Sequence, residues 1–482
     1  MAHSTTIPHA PTDTVRQPRR WLALALLSAA QFMLILDITV VNIALPEIGA
    51  DLGLGRDALT WVVTAYTLLF GGLMLVGGRM ADLFGARRVL LSGLAAFTVA
   101  SLAAGLAPTA GVLLAARAAQ GIGAALISPA ALSIVATTFT GAERTRALSV
   151  WAALGGTGSA AGVLLGGLLT AGPGWQWVFY VNVPVGLAVL AALPAVTPAG
   201  RPAPGSRRID LPGAALVTAA TATLIYTLIR AGDLGWTDPA TLAGLGAAGA
   251  LYALFVALER RVRTPLMDPA ILTRRPVVAG TFLMLTATAL LVAGFFLGSF
   301  SLQHVAGYGP LATGLAFLPV ALSTIAGAHL GGRAIVRVGA RPLAGAGLLV
   351  AAAGTAVAAL AGGLAGLASP AGAAGLVTGI AVAAAGIGAT FIAATSTALA
   401  HTSPGEAGLT SGIVNTFHEL GAAIGVATVS GIAGASLLTG LDPAGFTRAF
   451  TVASIGALGA AAVAVTLVPA GRPAAGATVH LH

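Results

Sequence analysis

The stretch GGRMADLFGARR, Gly77 to Arg88, recurs later in the chain as GGRAIVRVGARP, Gly331 to Pro342. Six positions are identical: Gly-Gly-Arg and Gly-Ala-Arg, with the same gap between them. What flanks the two copies decides what the repeat means. Each lies between long apolar runs, and the 482 residues are 57% hydrophobic and only 8% charged. A soluble globular chain carries about 25% charged residues. The repeat therefore belongs to an integral membrane protein, and the unit to count is the spanning helix.

Apolar windows of about 20 residues, divided by charged or Pro/Gly-rich punctuation, predict an all-α membrane protein. The spans fall over 21–45, 59–78, 88–107, 111–136, 146–170, 177–196, 211–230, 240–257, 276–302, 311–330, 342–362, 372–398, 409–437 and 447–469. Fourteen crossings put both termini on one side. Of the 24 arginines, twenty fall in loops or tails on that side, Arg56, Arg230 and Arg448 fall opposite, and Arg117 lies within a span. The positive-inside bias makes both termini cytoplasmic. It also accounts for the formal charge of +9 without a nucleic-acid partner. The polar, basic first 20 residues precede an apolar run too long for a signal-peptide core, so span one is read as a retained helix.

Two absences narrow the chemistry: the chain has no cysteine and no lysine. There is no Walker lysine, no Schiff-base lysine, no disulfide and no thiolate metal site. GxSxG and HExxH are also missing, and the eight histidines are scattered. An ATP-driven pump within this chain is excluded, and no enzymatic activity, metal or cofactor is expected.

The two copies of the repeat stand eight spans apart, where a tandem of six-helix halves would place them six apart. The excess marks an inserted pair, spans seven and eight. The expected organisation is a tail (1–20), a six-helix bundle (21–196), a linker carrying the inserted pair (197–275), a second six-helix bundle (276–469) and a tail (470–482). Repeated halves related by an axis along the membrane normal are a transporter design, with the substrate site between them near the midplane.

The residues then reach a known family. Gly78-x-x-x-Asp82-x-x-Gly85-x-Arg87-Arg88 resembles the signature loop of the major facilitator superfamily. LDITVVNIALP in span one, RAAQGIGAALISP in span four and WQWVFYVNVPVG entering span six resemble the fourteen-helix drug:proton antiporters of that superfamily. The resemblance covers nearly the whole chain. It implies a monomeric exporter of lipophilic, cationic drugs or antibiotics in the plasma membrane, whose partners are lipid and a small substrate. Protons are the coupling ion, with no cofactor and no nucleotide. It also implies that Asp82, with Arg79, Arg87 and Arg88 and the glycines Gly78 and Gly85, forms a cytoplasmic latch between the halves. Physically, a carboxylate at that loop can sit against the positive N-terminal end of span thirteen, which starts on the same side.

Three positions depart from the family pattern. The antiporter motif of span five appears as Gly158, Gly162, Gly166 and Gly167 with Val163 in place of proline, which predicts a stiffer, straighter helix. Gln176 stands where a basic residue is usual, and Val336 replaces the acid in the second copy of the repeat. The same fold admits a dedicated metabolite, lipid or amino-acid exporter or proton symporter. A membrane-embedded enzyme or receptor is more remote, because neither a nucleophile with its base nor a large extramembrane domain is found.

Charges inside spans are costly, roughly 2.5 to 3.5 kcal/mol for each at a helix centre on insertion scales. Asp37 lies about 12 Å from the outer end of span one and Arg117 about 9 Å below the same surface, at 1.5 Å per residue. At matching depth the two can pair, and protonating the acid would release the arginine, coupling proton binding to helix movement. The alternative is a fixed structural ion pair. Gln120 shares the Arg117 face, and Asn42 follows Asp37 on the same helix. In span thirteen Glu419 lies about 15 Å from the cytoplasmic end, near the midplane, with Asn415 one turn away on its face. His418, Gly421 and Gly425 form another face, where His418 is expected to bond across a helix contact. Asp37, Arg117, Gln120, Asn42, Asn415, His418 and Glu419 are the candidate proton-coupling and substrate residues. Trp61, Phe295, Phe296, Phe300 and Phe391 are candidates to line an apolar cavity, and Trp175 and Trp177 read as interfacial anchors.

Overall fold

The computed structural model describes residues 17–54, 56–197, 210–262, 265–364, 366, 368–400, 402, 406–433 and 443–470. Apart from residues 17–20 and 470, the two expected tails lie outside the described residues, as do Arg201, Arg207, Arg208 and Arg263 of the loops.

In hydrocarbon no water is available to the backbone, so a spanning segment must satisfy its own N–H and C=O groups. The described regular structure is accordingly all helical. In chain order come α1 (Gln17–Leu52), α2 (Arg56–Phe84), α3 (Ala86–Gly105), α4 (Ala110–Thr138), α5 (Gly141–Ala171), and a short α6 (Trp177–Tyr180) continued by α7 (Asn182–Val196). A hairpin follows, α8 (Leu211–Leu234) and α9 (Pro239–Glu259). The rest is α10 (Arg275–Phe300), α11 (Pro310–Ala316), α12 (Leu318–Val338), α13 (Ala340–Leu364), α14 (Pro370–Ala398), α15 (Ala407–Ala433) and α16 (Pro443–Leu467). Side chains cap the starts where the sequence offers them: Asp210, Asp238 and Ser369 accept from the amides of Gly213, Ala240 and Gly372 at 3.1, 2.8 and 3.0 Å.

Among the described residues twelve helices are long and apolar enough to cross a membrane. α5 and α15 are not among the twelve. In α15 the residues Asn415, His418 and Glu419 lower the hydropathy, so the group that makes this helix interesting also weakens its signal. The outward faces of α3, α9 and α16 expose Val99, Leu254 and Ile455, a surface that a bilayer covers. The chain is a multi-pass membrane protein.

The buried core is divided. One cluster gathers Leu27, Phe97, Leu132 and Phe139 from α1, α3, α4 and the turn after α4. Another gathers Leu283, Ile335, Leu348 and Ile392 from α10, α12, α13 and α14. Across the seam between them α2 packs on α15 and α5 packs on α12, while α8 lies against both α2 and α15.

The repeat has a direct structural expression. Gly85 and Gly339 occupy the same position in the two copies, between α2 and α3 and between α12 and α13. Both adopt left-handed φ, +93° and +88°, which a side chain would oppose. Gly77 closes on the Ala125 backbone of α4, and Gly331 on Ala389 of α14, each within its own cluster. Gly78 closes instead on Gly408 and Gly412 of α15, and Gly332 on Ser149 of α5, both across the seam. Small residues let the helix backbones approach at each crossing.

Candidate functional site

Asp37 sits midway along α1 and is fully enclosed. Arg117 on α4 donates from Nη1 to Asp37 Oδ2 at 2.5 Å. Gln120, one turn further along α4, donates from Nε2 to Asp37 Oδ1 at 3.1 Å, and Asn182 at the start of α7 donates to the same oxygen at 2.8 Å. Arg117 also gives its Nε–H to the Val62 carbonyl of α2 at 2.9 Å and a second Nη1–H to Gln120 Oε1 at 2.8 Å. Gln120 reaches Ser101 on α3 at 2.8 Å, and the guanidinium lies over the Tyr66 ring, 4.4 Å from its centroid. Asp37 and Gln120 are 0% exposed and Arg117 is 1% exposed. Five helices thus converge on one ion pair, every oxygen of the acid is occupied, and the desolvation cost is offset by hydrogen bonds as well as by charge.

Glu419 stands apart from this network. Among the described residues its hydrogen-bond partner is His418 Nδ1, at 3.2 Å, and its side chain keeps 14% of its exposure. Its Cβ lies against Gly71 of α2, across the seam. Tyr66, on the same helix as Gly71, lies under the Arg117 guanidinium, and its buried hydroxyl has no hydrogen-bond partner among the described residues.

The expected single cluster of coupling residues is therefore not what the fold builds. Asp37, Arg117 and Gln120 come together among α1 to α4 and α7, while His418 and Glu419 form a second patch at the seam. Asn42 is exposed and donates to the Ile38 carbonyl of its own helix, so it joins neither. Asn415 is buried on α15, its Nδ2 is unpaired among the described residues, and it makes no bond to Glu419. His418 does not bond across a helix contact: it turns to its neighbour Glu419, with the Phe391 ring 6.2 Å away, and Gly421 and Gly425 pack without it on the α10 backbone at Leu285 and Ala289.

At the arginine-rich face, Asp82 near the end of α2 accepts from the amides of Gly408 and Leu409 at 2.7 and 2.8 Å. These are orphan donors of the first turn of α15, and the carboxylate meets the positive end of that helix. Arg79 donates to the Pro265 carbonyl at 3.5 Å and Arg87 to Thr197 at 2.9 Å, while Arg88 is exposed. The other copy of the repeat has Val336 at the position of Asp82, and α5 starts at Thr140 without a side-chain cap. There Arg144 ties α5 to the Leu399 carbonyl at the end of α14, at 2.9 Å. The seam is thus pinned by a carboxylate on one side and by an arginine on the other.

Gly158, Gly162 and Gly166 face α1 at Ile35, Thr39 and Ile43, so α5 lies flush on the helix that carries Asp37; Gly167 has no neighbour within 4 Å of where a side chain would start. α5 is one unbroken helix, and the side chain of Val163 lies outside the described residues. The aromatic candidates mostly pack together, Phe295 on Phe317 and Phe296 on Phe300. Trp61 stacks on Tyr226 of α8. Trp177 is exposed as an anchor would be, but Trp175 is buried and donates to Asp51 at 2.8 Å. Ser101, Tyr66, Asn182 and Arg144 were not singled out in the sequence. Asn182 lies in a quoted motif, and the other three look like ordinary helix or loop residues until their neighbours are known.

Comparison with known proteins agrees with this architecture. The family model described as Major Facilitator Superfamily matches residues 27–426. The chain is 38% identical over 475 residues to a puromycin resistance protein of Streptomyces alboniger, covering 95% of this chain and 93% of that one. It is also 38% identical over 418 residues to a cephamycin export protein of Amycolatopsis lactamdurans, covering 86% and 85%. The fold is similar to that of the human organic anion transporter MFSD10, with a TM-score of 0.64 at 17% identity over 95% of this chain and 100% of that chain. It is similar too to the proton:xylose symporter XylE, with a TM-score of 0.65 at 14% identity over 94% and 96%. With near-complete coverage by relatives above 30% identity and a family model spanning most of its helices, the chain belongs to the major facilitator superfamily.

Proposed function

We propose that this protein is a secondary active exporter that moves lipophilic, cationic antibiotics or drugs out of the cell in exchange for protons. One observation carries the reading: similarity along nearly the whole chain to proteins named for antibiotic resistance and export. Alternating access uses two halves, 21–196 and 276–469, with the linker 197–275 contributing the inserted pair. Counting α5 and α15 with the twelve apolar helices gives fourteen crossings. The arginine-rich face, with both termini, is cytoplasmic, and the protein works as a monomer in the plasma membrane.

The contrast between the two membrane carboxylates supports different parts for them. Glu419, with one partner and a face on the seam, takes up and releases the proton. Asp37, saturated by Arg117, Gln120 and Asn182, holds five helices of the first half in one arrangement. Asp82 on the α15 terminus is the cytoplasmic latch, broken and remade as the halves rock. No nucleotide or cofactor takes part. One charge falling through roughly 150 mV releases about 3.5 kcal/mol, enough for a substrate gradient of several hundredfold at about 1.4 kcal/mol per tenfold.

The test is uptake of a cationic dye into inside-out proteoliposomes under an imposed pH gradient. Accumulation that collapses with a protonophore is expected; accumulation that persists counts against proton coupling. A substrate panel in cells lacking other pumps separates antibiotic export from a dedicated metabolite exporter, which would protect against none of the drugs.

A further inference from the structure

The hairpin α8/α9 lies along the seam, Gly72 of α2 against Thr218 of α8 and Gly232 of α8 against Ser430 of α15. Its two ends meet at the arginine-rich face, where Asp210 caps α8 and Glu259 closes α9. Both acids are more than nine-tenths buried, at 7% and 3% exposure. Each commits one oxygen to the backbone: Asp210 Oδ1 accepts from Gly213 at 3.1 Å and Glu259 Oε2 from Met267 at 3.0 Å. Among the described residues the remaining oxygens, Asp210 Oδ2 and Glu259 Oε1, have no donor, yet they lie together over Gly213 and face each other. Two ionised carboxylates in that position repel, and two acceptors cannot bond. One proton between them turns the contact into a strong O–H···O hydrogen bond.

We propose that Asp210 and Glu259 form a proton-binding site in which a single shared proton locks the foot of the inserted hairpin. Among the described residues no cation competes for the role. Arg260 and Arg261 follow on α9 and are exposed, and Arg79 from α2 is directed to Pro265. Asp82 is taken by α15, and Arg274 pairs with Glu406. Asp268 caps its own turn, and Tyr252 bonds Thr221. The foot that the Glu259–Met267 bond holds packs Leu266, Met267 and Ile271 against Leu75 of α2 and Leu409 and Ile413 of α15. Those are the helix ends that Asp82 joins. Loss of the shared proton sets two charges against each other and loosens the foot beside the latch.

The test uses the full chain in nanodiscs and reads no transport, so it stands or falls apart from the exporter reading. Infrared pH-difference spectra are expected to show a protonated-carboxyl C=O band that is lost in Glu259→Gln and in Asp210→Asn, where an amide donates to the surviving carboxylate. Backbone hydrogen-exchange protection over residues 265–271, taken relative to the base-catalysed exchange of unstructured amides at the same pH, should fall by about tenfold at alkaline pH in the wild type, as for loss of one charge-assisted hydrogen bond, and lose that pH dependence in either variant. A wild-type spectrum with no titrating protonated carboxyl overturns the proposal even if both variants fail to fold. So does unchanged pH dependence in a folded variant, or foot protection that follows added sodium or calcium ions at constant pH.

Discussion

Replacing Asp82 by asparagine tests the latch quantitatively. The carboxylate is buried and accepts two amide hydrogen bonds, from Gly408 and Leu409. Hydrogen bonds to a charged group contribute about 1.5 to 3 kcal/mol each, and a negative charge at a helix N-terminus adds about 0.3 to 1 kcal/mol. In Asp82→Asn the amide carbonyl keeps one N–H in a weaker neutral bond, and the NH2 group faces the other. One charge-assisted bond and the charge–helix attraction are lost, so the closed seam should weaken by about 3 kcal/mol. At about 1.4 kcal/mol per tenfold, the ratio of open to closed molecules rises roughly a hundredfold. The chain has no cysteine, so spin labels can be attached through Arg88→Cys and Val338→Cys, exposed positions on opposite sides of the seam. Double electron–electron resonance should show one short distance in the Asp82 protein and an added longer one in the variant. An unchanged distribution refutes the latch, as does an equal shift in Glu143→Gln, a half-buried acid that reaches Arg20 on the same side of the seam.

Three further outcomes follow from the same geometry. Asp37→Asn leaves Arg117 as a buried, unpaired charge and should cost about 3 to 5 kcal/mol, read as lower thermal stability in detergent. Arg117→Met added to it should recover part of the loss, whereas additive losses would show that the pair is not the source. Glu419→Gln should leave thermal stability nearly unchanged, since the side chain is partly exposed and has one partner, while abolishing pH-driven dye transport; wild-type transport in this variant removes Glu419 from the coupling scheme. Gly339→Ala at φ +88° should destabilise the fold by about 1 to 2 kcal/mol. Gly456→Ala in α16, where nothing lies within 4 Å, should be neutral or stabilising by up to about 1 kcal/mol, and melting temperatures moving in the same direction would sink the backbone argument.

The contact of Asp82 with the start of α15 was legible in the sequence because it is local. Asp82 sits in a repeated loop whose glycines set the helix ends, and a carboxylate beside a helix start has a clear electrostatic destination. The pairing of Asp37 with Arg117 was legible for a similar reason: two charges at equal depth in hydrocarbon have few other solutions. Asn42 misled because a polar residue in an apolar span can simply bond its own helix four residues back, which spacing does not reveal. His418 misled because helical periodicity assigns faces to side chains, while rotamers let adjacent residues meet.

Composition and the spacing of apolar runs were enough to establish an all-helical membrane protein, because a bilayer allows few ways to satisfy a backbone and hydrophobic length alone marks most of the helices. Which acid lies sealed among five helices and which borders the seam could not be read from the chain. Neither could the meeting of Asp210 with Glu259 at the foot of the hairpin. Those facts depend on how helices rotate and cross, and that is set by contacts such as Gly78 on Gly408 and Gly158 on Ile35 between residues far apart in the chain. A turn of about 100° per residue moves a side chain from the seam to the lipid, and only packing in three dimensions selects the angle.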